Sequence, residues 1–410
     1  MKVLFLSQIV PYPSHGGVLQ RGYNLLREIA QFATVHLAAF VHRDLLSTRE
    51  QLDESRRELG KFCARLDYFT MWAKKSRLHR YAALMMSCGS SRPFSVIVHR
   101  SAAFQQHVSR VISSEGFDII HVDTIGLAPF VDEFGHVPRV LTHHNIESML
   151  MGRRAAVETR PLANWFLQRE TEKLKAYERA VSGKFDANIL VSDADERALR
   201  DAVPGLVTSV VPNGVDVEYF TPEVEHETPT LIYTGGLNMF ANLDAVLFFL
   251  REVWPAISAA VPSVRFIVIG QDPPHELREI SKRDSRIEVM GYVDDVRPYV
   301  ARAAVYVVPL RVGGGTRLKV LDAMAMGKAI VSTSVGCEGI HVSRGEHLLI
   351  ADDPKHFARV TVDLLGDRGR RALLGRSARR LVETHYAWPL IGGRLHDTYR
   401  AAIERRRIHG

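Results

Sequence analysis

Cysteine is scarce: the 410 residues include only Cys63, Cys88 and Cys337. An odd, scattered set with no CxxC pair excludes a disulfide framework and a structural zinc site, and suits a reducing cytoplasm. No apolar run approaches the about 18–20 residues that cross a bilayer, so membrane contact is expected to be peripheral at most. The opening MKVLFLSQIVPYPSHGG meets Pro11 and Pro13 too early for a signal-peptide core and reads as a first strand. Also missing are a repeat at a period of about 20–50 residues, which excludes a solenoid, and the HExxH, P-loop and dinucleotide fingerprints.

What is present is an ordinary globular balance, 46% hydrophobic and 24% charged, in a length that predicts two domains. Lys and Arg number 53 against 46 Asp and Glu, a net charge of +7 that favours anionic partners. Nucleotides and phospholipid surfaces fit; a nucleic acid fits less well, because no stacking platform or reader motif accompanies the charge.

β-branched runs alternate with helical spacers, the pattern of parallel strands covered on both faces. The first half has them at Val3–Leu6, Val35–Phe40, Asp118–Val122, Val140–His143 and Ala187–Val191. In the second they are Leu231–Thr234, Arg265–Ile269, Ile287–Met290, Val305–Pro309, Ala329–Ser332 and Leu348–Ala351. This predicts an α/β chain of two doubly wound, Rossmann-like domains. The expected boundaries are 1–208 and 229–387, joined by a linker at 209–228 that holds the Pro212-Asn213-Gly214 turn. A last helix at 388–410, apolar at helical spacing, could complete the first domain.

The sharpest segment starts at Pro309: PLRVGGGTRLKVLDAMAMGKAIVSTSVGCEGI. A strand ends, Gly313, Gly314 and Gly315 follow, and a helix begins with Thr316 as candidate N-cap. Glycines admit a ligand close to backbone N–H groups, and a helix start adds free amides, so an anion is expected there. Lys319 can offset phosphate charge, and the carboxylate of Asp322 can accept hydroxyls. The alternative is a glycine-rich loop with solvated charges.

Asp322-Ala323-Met324-Ala325-Met326-Gly327 resembles the second half of the Glu-x7-Glu…Ala-Met-Ala-x-Gly signature of glycosyltransferase family 4, the group 1 retaining transferases. The position of the first Glu is Gly314, as in a subgroup with a Gly-Gly-Gly-Thr loop. The resemblance implies the GT-B fold, two Rossmann-like domains facing across a cleft, and ribose binding by Asp322. It places amides of Gly314 and Gly315 where the first Glu would hold the donor sugar.

Other family marks follow. Pro11 to Gly17, with Arg21 and Asn24, looks like the first strand, glycine turn and helix start where the donor diphosphate meets the acceptor domain; Gly16 and Gly17 are expected to supply amides and Arg21 to face the acceptor. Pro212 to Asp216, with Phe220, is similar to the family's hinge. Thr234-Gly235-Gly236-Leu237-Asn238, near Asn242, occupies the phosphate loop but lacks the family's Arg and Lys. Arg311, Arg317 or Lys319 is expected to supply that charge, Lys319 first. Gly270 and Gly291-Tyr292-Val293 resemble loops on the nucleobase side, where Tyr292 or Val293 lies against the base or belongs to the core.

Two polar clusters end strands of the first half, at the edge where doubly wound sheets bind ligands. One holds His121 and Asp123; the other is Thr142-His143-His144-Asn145-Ile146-Glu147. The resemblance implies that Asp123, His143 and Asn145 bind the acceptor and that His144 contacts the sugar or acceptor in catalysis. Paired histidines without a third ligand do not indicate a metal. From Arg56 to Arg80 eight Lys or Arg interleave with Leu59, Phe62, Leu66, Phe69 and Trp72. That reads first as a solvated helix face over core residues, and otherwise as a dock for an anionic bilayer.

The expected activity is retaining, metal-independent transfer of a sugar from a nucleotide-diphosphate sugar, without a further cofactor, to a glycan or lipid-linked acceptor. The expected setting is cell-surface polysaccharide synthesis in the cytoplasm, with peripheral contact at the inner face of the membrane. A sugar-nucleotide epimerase of the same fold and a non-catalytic sugar-nucleotide or membrane-surface binding protein are the rivals.

Overall fold

Apolar on both faces, the five short runs of the first half become the buried inner strands of a seven-stranded parallel sheet, whose two edge strands are only partly covered. The strands are β1 (Lys2–Ser7), β2 (Thr34–Val41), β3 (Arg65–Thr70), β4 (Ile119–Val122), β5 (Arg139–His143), β6 (Ala187–Leu190) and β7 (Thr208–Val210). Their order is β3-β2-β1-β4-β5-β6-β7, every pair parallel. The chain winds outward from β1 to β3, then returns to lay β4 on the other side of β1. A ligand crevice is expected where the winding reverses. The computed structural model describes residues 1–14, 17–223, 228–313 and 317–409.

Two compact units result, Met1–Pro212 together with the segment from Trp388, and Asn213–Ala387. The boundary expected at 208 cuts through β7, which pairs with β6 and extends the first unit beyond it. Helix Trp388–His409 belongs to this unit because its apolar stripe, Trp388, Ile391, Leu395, Tyr399 and Ala402, is buried in the core under β1 and β2. The Tyr399 hydroxyl lies 2.6 Å from Nδ1 of His121 in β4.

The basic stretch 56–80 is not one helix face. It holds the end of helix Arg49–Leu59, the edge strand β3 and the start of helix Arg77–Cys88. Leu59 is buried, while Phe62, Leu66, Phe69 and Trp72 pack against core clusters. Arg65 is held by Asp67 at 2.7 Å and Glu115 at 2.8 Å. The apolar residues once available for a membrane are therefore spent on the fold.

The second unit repeats the winding with β8 (Thr228–Thr234), β9 (Arg265–Ile269), β10 (Ile287–Gly291), β11 (Ala303–Val308), β12 (Ala329–Ser332) and β13 (Leu349–Ile350). The order is β10-β9-β8-β11-β12-β13, so the reversal lies between β8 and β11. Apolar clusters cover both faces of this sheet. Just inside the unit, Val215 donates to the Tyr386 carbonyl at 2.7 Å, and the Arg379 guanidinium binds the carbonyls of Val217 and Phe220.

Candidate functional site

Beside the reversal point of the second sheet the ends of β8, β9 and β10 are stitched together. Gly235, at φ 154°, donates to the Ile269 carbonyl at 2.9 Å, and Gly270 donates to that of Gly291 at 2.9 Å. A Cβ on Gly270 would overlap the Gly235 carbonyl oxygen and come within 2.8 Å of Leu237, so the close approach requires glycine.

Helix Leu318–Ala325 sends Lys319 into this turn. Its Nζ donates to the Tyr233 hydroxyl at 2.8 Å and to Asn242 Oδ1 at 2.8 Å, and lies 4.2 Å from the centre of the Tyr233 ring. A Cβ on Gly235 would collide with the same ammonium. The Tyr233 hydroxyl itself donates to Asn242 Oδ1 at 2.8 Å, and Asn242 Nδ2 donates to the Gly236 carbonyl at 2.9 Å. The loop that lacks a basic residue of its own thus has Lys319 against it. Burial of the ammonium, and then the charge of Arg317, lower the Lys319 pKa to about 7. An incoming anion would favour the charged form.

Arg317 is the N-cap of that helix. The helix itself begins at Leu318; Thr316, the expected cap, and Gly314, Gly315 and Gly16 lie outside the described residues. A Cβ on Gly313, at φ 152°, would stand 2.9 Å from the Arg317 guanidinium carbon. Asp322 is one turn beyond Lys319 and half-buried. Burial chiefly, and also the Asp322 charge, raise the pKa of Tyr306, whose hydroxyl is 2.5 Å from that of Thr234.

Several expected contributors are held elsewhere. Arg311 pairs with Asp244 through two nitrogens at 2.6 and 3.1 Å, its guanidinium 4.7 Å over the Phe248 ring, so its charge is already offset. Val293 packs against the core, whereas Tyr292 is 57% exposed and Asn238 is exposed too. In the first unit Arg21 is buried and gives its two terminal nitrogens to the carbonyls of Val211 and Pro212 at 2.8 and 2.9 Å. It is a structural clamp at the end of β7, not an acceptor ligand. His143 is buried as well, its Nε2 3.0 Å from Asn188 Oδ1, and burial lowers its pKa to about 4. It is a core histidine.

Asp123 and His144 do come together at the reversal point of the first sheet. His144 Nε2 is 3.2 Å from Asp123 Oδ1, off the line of a hydrogen bond, while Ser7 Oγ is 3.3 Å from the other oxygen. Asp123 is fully buried and His144 keeps some exposure. Next to Asn145 stands Glu147, at the start of helix Glu147–Val157, accepting from Thr124 Oγ1 at 3.3 Å. Burial, and secondarily the charge of Glu178, raise its pKa to about 7. Sequence reasoning gave Glu147 no role; its position one turn from His144 was the available signal. Gly17 is exposed at the first residue of helix Gly17–Ile29. Among the described residues no three His, Cys, Asp or Glu converge as metal ligands, and no helix is long and apolar enough to cross a membrane.

Two parallel-sheet α/β units with glycine turns at the strand ends define a chain of the GT-B type. The fold is similar to that of sucrose-phosphate synthase from Thermosynechococcus elongatus, with a TM-score of 0.72 and 17% identity over 99% of this chain and 100% of that one. A second similar structure is Anabaena HepE in complex with UDP and glucose, with a TM-score of 0.68 and 14% identity over 98% and 100%.

Family models locate the relationship in sequence. Residues 228–367 match glycosyl transferases group 1, and residues 89–219 match glycosyltransferase family 4. The chain carries glycosyltransferase domains of this group 1, family 4 type. It is also 24% identical over 209 residues to the GDP-mannose-dependent monoacylated alpha-(1-6)-phosphatidylinositol monomannoside mannosyltransferase of Corynebacterium glutamicum, covering 45% of this chain and 54% of that protein. The chain spans about a third to a little over half of the length of the curated relatives it matches.

Proposed function

We propose that the protein transfers a sugar from a nucleotide-diphosphate sugar to a glycan or lipid-linked acceptor, with retention of configuration, in cell-surface polysaccharide synthesis on the cytoplasmic side. The observation that carries this reading is the Lys319 ammonium lodged against Gly235, where the second sheet reverses. When the bond from the sugar C1 to the diphosphate breaks, the electron pair stays on the leaving oxygen. A charged Lys319, with Arg317 beside it and amides of the glycine loop, stabilises that growing charge more than the ground state. Asp322 is assigned to the ribose hydroxyls. Gly235, Asn238, Gly270 and Gly313 line the donor, and Tyr292 faces the base. Within the first unit, His144, whose Nε2 is 3.2 Å from buried Asp123, is assigned to the sugar or acceptor.

Incubating the full chain with UDP- and GDP-sugars in the absence of acceptor tests the reading. Slow release of nucleoside diphosphate, with the freed sugar first appearing in the donor's anomeric form, supports retaining transfer. Epimerised donor would make the protein an isomerase, and binding without turnover across an acceptor panel would make it a binding protein.

A further inference from the structure

The glycine loop and the start of the helix after it carry charge of one sign. From Pro309 to Leu321 the sequence has Arg311, Arg317 and Lys319 and no acidic residue. That suits a diphosphate. The sugar bonded to it is neutral and rich in hydroxyls, which hydrogen-bond most strongly to an ionised acceptor, and the loop supplies none.

One carboxylate arrives from elsewhere in the second unit. After β12 the chain makes the short turn Val335–Cys337, and Glu338 follows. An oxygen of Glu338 lies 3.8 Å from a terminal nitrogen of Arg317, the N-cap of helix Leu318–Ala325 and the residue that stands against Gly313. The Glu338 side chain is 30% exposed, so a ligand can reach it.

Its position is fixed by the turn before it. The Thr333 hydroxyl donates to the Leu310 carbonyl and accepts from the Gly336 N–H at 3.0 Å, while the Thr333 N–H donates to the Val308 carbonyl at 3.1 Å. Ser334 is held from the other side, its N–H and hydroxyl each donating to Asp352 at 2.7 Å. A Cβ on Gly336 would overlap Ser332 Oγ and come within 2.6 Å of the Val308 carbonyl oxygen. Cys337 and Ile340, on either side of Glu338-Gly339, are buried. The turn is therefore fastened to the end of β11, the strand that leads into the glycine loop.

Carboxylates around it have other work: Asp244 pairs with Arg311, Asp352 holds Ser334, and Asp322 is assigned to the ribose. The two oxygens of Glu338 offer about four acceptor positions, more than one guanidinium uses. So close to the cations, its charge would repel a diphosphate and suits the neutral hydroxyls next to one.

We infer that Glu338 accepts hydrogen bonds from hydroxyls of the transferred sugar and helps to select which donor sugar is bound. This rests on the donor reading above and adds to it a contact that discriminates the sugar from the nucleotide.

Calorimetric titration of UDP, UDP-glucose, GDP and GDP-mannose into the full chain tests it, with wild type, Glu338→Ala and Glu338→Gln compared. A nucleotide sugar that binds the wild type should bind Glu338→Ala roughly tenfold or more weakly, and Glu338→Gln with a smaller loss. The matching nucleoside diphosphate should bind both variants as tightly as the wild type or more tightly, because a repelling charge is gone. Glu338 is partly exposed and Glu338→Gln keeps its shape, so melting should stay as in the wild type. Equal weakening of nucleotide and nucleotide sugar would make Glu338 only a support for Arg317, and unchanged affinity for both would place the sugar contact elsewhere. Either result overturns the inference and leaves the donor reading standing. Failure of the wild type to bind any of the four ligands would overturn the donor reading and the inference together.

Discussion

The ammonium of Lys319 and the hydroxyl of Tyr233 meet at 2.8 Å, joining helix Leu318–Ala325 to strand β8, which leads into the Gly235-Gly236 turn. The contact places a cation beside a turn that has none in its own sequence. It also removes that cation from water, and the pKa near 7 follows.

Lys319 should therefore titrate in a measurable way. Its pKa is lowered on folding, so between about pH 7 and 10.5 the unfolded chain binds the extra proton, and the ligand-free protein gains stability from this group as pH rises through that window. Melts at increasing pH should show a rise that Lys319→Met lacks. A nucleoside diphosphate should draw a proton in. Calorimetry near pH 8 in buffers of different ionisation enthalpy should then detect proton uptake in the wild type and not in Lys319→Met.

Glycine at 270 is a steric requirement. Gly270→Ala sets a methyl group into the Gly235 carbonyl, a backbone atom that cannot swing away. Stability should fall by about 1–3 kcal/mol, read by denaturant unfolding, and nucleoside diphosphate affinity should fall with it. Gly366→Ala, where no atom stands near an added Cβ, is the control and should leave binding unchanged.

Asp322 is assigned to sugar hydroxyls of the nucleotide. Asp322→Ala should weaken binding of a nucleoside diphosphate roughly tenfold or more, the scale of a charged hydrogen bond. A 2′,3′-dideoxy nucleotide should bind the wild type and the variant alike. A further loss with the dideoxy compound would count against direct ribose contact.

Arg21→Leu should act on stability. It leaves the carbonyls of Val211 and Pro212 without their donor, at about 1–3 kcal/mol for each unsatisfied group. His144→Ala, by contrast, should lower transfer while leaving nucleoside diphosphate affinity and the melting temperature nearly intact. The two variants, measured side by side, separate a role in stability from a role in transfer.

Much of the fold is legible in periodicity, because strands buried on both faces must be apolar throughout; the run at Arg265–Ile269 and the run at Ala329–Ser332 are the strands β9 and β12 to the residue. β3 is hidden because RLDYFT is an edge strand whose side chains are all only partly covered or exposed, and its charges obscure the alternation. In the candidate site the glycine turns, Lys319 and Asp322 announce themselves by local chemistry. Tyr233 does not, since its link to Lys319 spans 86 positions and its sequence context is that of any core strand. For the same reason Arg21 and His143 read as site residues: spacing shows which strand or helix end they occupy, not which way the side chain turns.

Calorimetric titration of UDP and GDP into the wild type and into Lys319→Ala tests the central claim most directly. The account predicts saturable binding of one or both nucleotides at pH 7, weakened roughly tenfold or more in Lys319→Ala. Unchanged affinity in a correctly folded variant, or no nucleoside diphosphate binding by the wild type, would contradict it.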